Sequence, residues 1–213
     1  MTDYGIYFVT DRALCGRRGV VETVRLAVDG GVRTVQLRDK RASLDDQMRQ
    51  LEALATVIDG RARLLVNDRL DAAVAAAERG IPVDGVHLGQ GDDSVLRARE
   101  ALGPDALIGL TANTDAHRDT VARLPRGTVD YLGVGVIRPT STKPDHPEPL
   151  GVDGFARFAA ASPLPCVAIG GVVAEDIAPL RQAGAAGIAV VSILCTADDP
   201  EATARELHEL WQR

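Results

Sequence analysis

The 213-residue chain is poor in rings: three Phe, three Tyr and one Trp. So few rings leave little for base stacking. No long Lys/Arg block interrupts a formal net charge of −6, so a nucleic-acid partner is not expected. No apolar run approaches the ~20 residues of a transmembrane helix, and no membrane partner is expected. The start MTDYGIYFVT reads as a strand rather than as a basic and then apolar signal peptide. Cysteine is sparse too. Cys15, Cys166 and Cys195 are odd in number and scattered, which suggests a reducing compartment and free buried thiols. No Gly-x-Ser-x-Gly elbow, Walker A loop or dinucleotide fingerprint occurs. His87, His117, His146 and His208 show no metal-ligand spacing; His87, inside a predicted strand, reads as a satisfied interior residue. What remains is a cytoplasmic enzyme or small-molecule binder. The sequence says nothing of its oligomeric state.

Composition is otherwise that of a globular protein, 46% hydrophobic and 25% charged. The length fits one large α/β domain with a sizeable core. Eight short apolar runs predict strands over Ile6–Thr10, Thr34–Arg38, Leu64–Asn67, Gly85–Gly89, Leu107–Thr111, Tyr131–Ile137, Cys166–Gly170 and Ile188–Ile193. Several are apolar throughout, as parallel strands covered on both faces are. Helical spacing lies between them: Val21, Val24, Ala27 and Val28 share one stripe, and Met48, Leu51, Leu54 and Val57 another. DRLDAAVAAAERG opens with Asp and closes with Gly, as a capped helix does. A last helix spans about Pro200 to Trp211. Eight βα units in residues 1–213 predict a single (β/α)8 TIM barrel. A doubly wound open sheet is the alternative, since it yields the same alternation.

In such a barrel, chemistry sits at the carboxyl ends of the strands. Gln36, Arg38 and Lys40 alternate at the end of strand two, so their side chains share a face. Of 24 Lys+Arg residues only Lys40 and Lys143 are lysine, and both follow predicted strands. Lysine offers a compact point charge suited to a phosphate oxygen. With Arg38 the two make a cationic cluster in an acidic protein, which points to an anionic substrate; two lysines on solvated loops by chance is the bland alternative. Asp68 and Asp92 follow adjacent strands about 5 Å apart. Two such carboxylates call for a cation, and Mg2+ with substrate phosphate suits them. Otherwise Asp68, and Asp92 or Asp93, simply cap the helices that follow. Gly170–Gly171 and Val191–Ser192 end strands seven and eight, where backbone N–H groups commonly hold phosphate. The Pro-rich stretch Arg138–Gly151 reads as a long loop with a job, closing over the substrates and carrying Lys143.

Taken in order, YFVTDR, VQLRDK, LLVNDRLDAA, DGVHLGQGD, LIGLTANT, VDYLGVG, PTSTK, VAIGGV and AVVSI resemble the thiamine-phosphate synthase (thiamine-phosphate pyrophosphorylase) family along nearly the whole chain. The resemblance implies a (β/α)8 barrel that joins 4-amino-2-methyl-5-(hydroxymethyl)pyrimidine diphosphate to a thiazole phosphate and releases pyrophosphate. It implies that Gln36, Arg38, Lys40, Asn67, Thr111 and Lys143 hold the pyrimidine diphosphate, with Arg38, Lys40 and Lys143 catalytic. It implies Mg2+ on Asp68 and Asp92, and the thiazole phosphate on Thr140, Ser141, Thr142, Gly171, Val191 and Ser192. This chain departs from the family's pattern at Thr111, where Ser is usual, at Val136, where Pro is common, and at Arg138, where an aromatic is frequent. A related thiazole tautomerase shares the fold but generally lacks the diphosphate and metal set. A phosphate-binding barrel without turnover is the other alternative.

Overall fold

The computed structural model describes residues 3–140, 142 and 148–213. Eight parallel strands pair in sequence order and close into a barrel: β1 (Gly5–Val9), β2 (Thr34–Leu37), β3 (Arg63–Asn67), β4 (Gly85–Leu88), β5 (Leu107–Thr111), β6 (Tyr131–Val134), β7 (Cys166–Ile169) and β8 (Ala185–Val190). The helices are α1 (Gly19–Asp29), α2 (Leu44–Ile58), α3 (Leu70–Glu78), α4 (Val95–Leu102), α5 (Asp115–Ala122), α6 (Gly151–Ala161), α7 (Ile177–Gln182), α8 (Ser192–Cys195) and α9 (Pro200–Gln212). The open-sheet alternative is thereby excluded.

Strand alternation sorts the core into two layers. Outward-facing Ile6, Phe8, Val35, Leu64, Val66, Val86, Ile108, Leu132 and Ile188 pack with helix residues such as Val24, Leu51, Leu54, Ala73, Phe155 and Leu207. Inward-facing Tyr7, Leu65, Tyr131, Val167 and Ala189 form a separate cluster inside the barrel. Tyr4 plugs this interior from below, its ring 4.7 Å from that of Tyr131. Fully covered parallel strands thus explain the continuous apolar runs. All three cysteines are free and buried.

Two strands depart from the sequence expectation by more than one residue. β6 stops at Val134 rather than Ile137. The buried residues that follow leave the ladder and bend across the end of β7: Arg138 N–H donates to the Gly170 carbonyl at 2.9 Å. β8 runs over Ala185–Val190, not Ile188–Ile193. Its alanine-rich start hides its β character, and Ser192 already opens a helical turn. Apolar composition reports burial in both places and does not report where hydrogen-bond pairing ends.

Helix α3 begins at Leu70 with Arg69 at its N-cap and no side-chain cap. Asp68 is therefore not the cap that its position suggests. Its backbone sits at φ +62, left-handed, and its carboxylate pairs with Lys40 instead. Gly80 (φ +70) does end the helix: its N–H donates to the Ala77 carbonyl, and that of Ile81 to the Ala76 carbonyl. Nor does Asp92 cap α4, whose N-cap is Ser94.

Candidate active site

The carboxyl ends of the strands surround a cavity of about 480 Å3. Its wall includes Gln36, Arg38, Lys40, Asn67, Asp68, Asp92, Thr111, Thr140, Thr142, Gly171, Val191 and Ser192. Each described residue expected at a site from the sequence thus reaches one cavity. Ser141 and Lys143 lie outside the described residues, as does the central part of the expected closing loop, residues 143–147.

Strand β2 presents the cationic side. Gln36 is almost fully buried. The Arg38 backbone N–H donates to Thr10 Oγ1 at 3.0 Å, and its guanidinium donates to Asp11 Oδ2 at 3.3 Å. The end of β1 therefore orients Arg38. Lys40 extends beyond it, half-exposed, with Nζ 3.2 Å from Asp68 Oδ2.

The turns after β3 and β4 present the acidic side. Asp92 Oδ2 accepts the Gly89 N–H at 2.6 Å. Desolvation and the neighbouring Asp68 carboxylate push the Asp92 carboxyl above its usual range. The two carboxylates meet each other, with Lys40 as their counter-charge. Among the described residues no cluster of three or more His, Cys, Asp or Glu forms a self-sufficient metal centre. Two carboxylates without further protein ligands match the chemistry of Mg2+, which usually keeps waters and takes substrate phosphate oxygens.

Opposite, the ends of the adjacent strands β7 and β8 bring Gly170–Gly171 beside Val191–Ser192. Gly171 has φ +65, and a Cβ there would lie 2.7 Å from the carbonyl oxygens of both Arg138 and Pro139. Close packing of the β6 and β7 loops already requires this glycine, whatever ligand sits beside it. Thr142 N–H donates to Thr140 Oγ1 at 3.2 Å. Arg138 makes a two-pronged pair with Asp176, at 2.8 and 2.7 Å.

The cavity floor contains residues to which the motifs assigned no ligand role: Tyr7, His87 and Tyr131. His87 Nδ1 is 3.0 Å from Tyr131 Oη, and its Nε2 is 3.0 Å from Thr111 Oγ1. Burial lowers its pKa to about 4. Its hydrogen bonding is satisfied, as expected, yet it faces the cavity. Burial also pushes the Tyr7 phenol up to about 12. The available signal was indirect: the glycines of LIGLT and YLGVG vacate space that rings then occupy.

A family model described as thiamine monophosphate synthase matches residues 6–194. The chain belongs to the thiamine monophosphate synthase family. A thiamine-phosphate synthase of a Psychrobacter species is 45% identical over 202 residues, covering 95% of this chain and 92% of that protein. One from Azorhizobium caulinodans is 44% identical, with 96% and 93% covered. A solved thiamine phosphate pyrophosphorylase from Pyrococcus furiosus superposes with a TM-score of 0.84 at 28% identity, covering 98% of this chain and 96% of that one. A 3-hexulose-6-phosphate synthase structure, 14% identical with a TM-score of 0.68, shares the fold alone. Membership places the paired carboxylates and the cationic strand end in an enzyme family. No helix among the described residues is long and apolar enough to cross a membrane.

Proposed function

We propose that this single-domain barrel is a cytoplasmic thiamine-phosphate synthase. In this reading it joins 4-amino-2-methyl-5-(hydroxymethyl)pyrimidine diphosphate to a thiazole phosphate and releases pyrophosphate. One observation carries this beyond family membership: Arg38, Lys40, Asp68 and Asp92 line one wall of the same cavity whose opposite rim is Gly171, Val191 and Ser192. That cavity has room for a charged leaving group on one side and a second phosphate on the other. A tautomerase would not need the paired carboxylates and the cations together.

Asp68 and Asp92 are the residues that would hold Mg2+, which when bound would supply positive charge to the diphosphate. Gln36, Asn67 and Thr111 hold the pyrimidine diphosphate. Its amino group feeds electrons toward the CH2–O bond, so pyrophosphate departure precedes attack. Arg38 and Lys40 face the charge that grows on the leaving oxygen, and Asp11 and Thr10 fix Arg38 in advance. Lys143, by the sequence resemblance, adds a third cation. Thr140, Ser141, Thr142, Gly171, Val191 and Ser192 hold the thiazole phosphate, whose nitrogen then attacks a neighbour already in place. No nucleophilic side chain is needed.

The test is incubation of both substrates with Mg2+, following pyrophosphate and thiamine phosphate together. Formation of both supports the reading. Isomerisation of the thiazole without pyrophosphate, or binding without turnover, overturns it. Within that assay, Arg38→Ala should lower kcat by roughly 10²-fold or more, the scale of one preorganised charge donor.

A further inference from the structure

Below the cavity, five polar side chains from five strands form one continuous hydrogen-bonded relay. Gln36 Nε2 donates to Tyr7 Oη at 2.6 Å. Tyr7 Oη and Tyr131 Oη are 2.9 Å apart. Tyr131 Oη meets His87 Nδ1 at 3.0 Å, and His87 Nε2 meets Thr111 Oγ1 at 3.0 Å. The barrel is shaped around this relay. A Cβ at position 109 would lie 2.2 Å from Tyr131 Cζ and 2.4 Å from His87 Nδ1, and one at position 133 would lie 2.9 Å from His87 Cε1. Both ends of the relay, Gln36 and Thr111, open into the cavity.

Hydrogen counting ties its direction to the orientation of the Gln36 amide. Each phenol has one hydrogen, and a neutral imidazole has one N–H. Because Gln36 donates to Tyr7, the Tyr7 hydrogen goes to Tyr131 and the Tyr131 hydrogen goes to His87 Nδ1. The His87 hydrogen then sits on Nε2 and is donated to Thr111 Oγ1. Any other order that keeps the Gln36 bond leaves a buried hydroxyl hydrogen without an acceptor, which is costly. The outcome is an acceptor at one end, Gln36 Oε1, which has no partner among the described residues. At the other end the Thr111 hydroxyl is left free to donate. Flipping the Gln36 amide would reverse every bond at once.

We infer that Tyr7, Tyr131 and His87 are positioning residues that couple Gln36 to Thr111, so that the site selects a ligand with a donor at the Gln36 end and an acceptor at the Thr111 end. This rests on the proposed function and deepens it. A 4-aminopyrimidine diphosphate has that polarity: its amino group donates, and its phosphate oxygens only accept. A 4-oxo pyrimidine diphosphate offers an acceptor where the amino group was, so binding it must either leave the Gln36 carbonyl facing an acceptor or reverse the relay, which commits the Thr111 hydrogen to His87 Nε2 and withdraws it from the phosphate. The relay therefore makes the pyrimidine's substituent specificity depend on side chains that need not touch it.

Tyr131→Phe removes the central link while keeping the ring. The test measures dissociation constants of the 4-amino and 4-oxo pyrimidine diphosphates, which avoids the electronic effect of the amino group on turnover. The wild-type protein should prefer the amino form. In Tyr131→Phe that preference should fall by about 10-fold, the size of one hydrogen bond, with thiazole phosphate affinity retained as the sign of an intact barrel. Thr111→Ser should keep the preference and Thr111→Val should reduce it. If Tyr131→Phe does not fold, ¹⁵N NMR of wild-type His87 with the 4-amino ligand bound answers the same question: an Nε2–H tautomer supports the relay and an Nδ1–H tautomer overturns it. An unchanged preference in a folded Tyr131→Phe overturns the relay alone. Failure of both pyrimidines to bind the wild-type protein overturns the proposed function, and the relay's role with it.

Discussion

The Arg138 guanidinium grips the Asp176 carboxylate through two hydrogen bonds of 2.8 and 2.7 Å, tying the segment after β6 to the turn after β7. Asp176 is nearly buried, and its Oδ2 also accepts the Val173 N–H at 3.1 Å. The pair holds the root of the segment that carries Thr140 and Thr142 against Gly170–Gly171.

That clamp predicts a pH dependence. The Arg138 hydrogen bonds hold the Asp176 carboxyl below its usual range. A depressed carboxyl pKa stabilises the fold above the unfolded value of about 3.9. The stabilisation is lost as pH falls through the folded value. At pH 7 the wild-type protein should melt above Asp176→Asn. The gap should narrow steadily once the pH drops below about 4. Thermal unfolding of both proteins across that range checks it; a gap independent of pH would assign Asp176 a packing role only.

The acidic side predicts a metal response. Asp92 is exposed and caps no helix, so Asp92→Asn should leave the fold intact. It should raise the Mg2+ concentration needed for half-maximal activity and lower turnover at saturation. Chelation should abolish turnover of the wild-type protein, with recovery on adding Mg2+. Unchanged Mg2+ titration curves for wild type and variant would leave Asp92 only its bond to the Gly89 N–H.

Gly109 predicts a stability cost. An added methyl would overlap the Tyr131 and His87 rings. Overpacking of this kind costs about 1–3 kcal/mol, so Gly109→Ala should unfold at clearly lower denaturant than wild type. Gly91→Ala, where a Cβ meets nothing within 4 Å, should change stability by no more than about 0.5 kcal/mol. Equal stability of the two variants would show that the ring pair relaxes freely.

The sequence by itself determined the barrel and most of its rim. Continuous apolar runs report strands covered on both faces, and polar residues just after them report the functional end. Gln36, Arg38 and Lys40 are legible because strand alternation and strand ends are local properties, whereas Asn67 and Thr111 enter as site residues through the family resemblance. Tertiary structure decided the rest. Asp68 looked equally like a helix cap, and only its left-handed backbone and its 3.2 Å approach to Lys40 settle which way it faces. Gly171 looked like a phosphate-approach glycine, whereas the carbonyls of Arg138 and Pro139 impose it regardless. Tyr7 and Tyr131 are 124 positions apart and meet only because the barrel closes. Such contacts depend on register around the whole sheet, and no window of sequence encodes the identity of the side chain across a barrel.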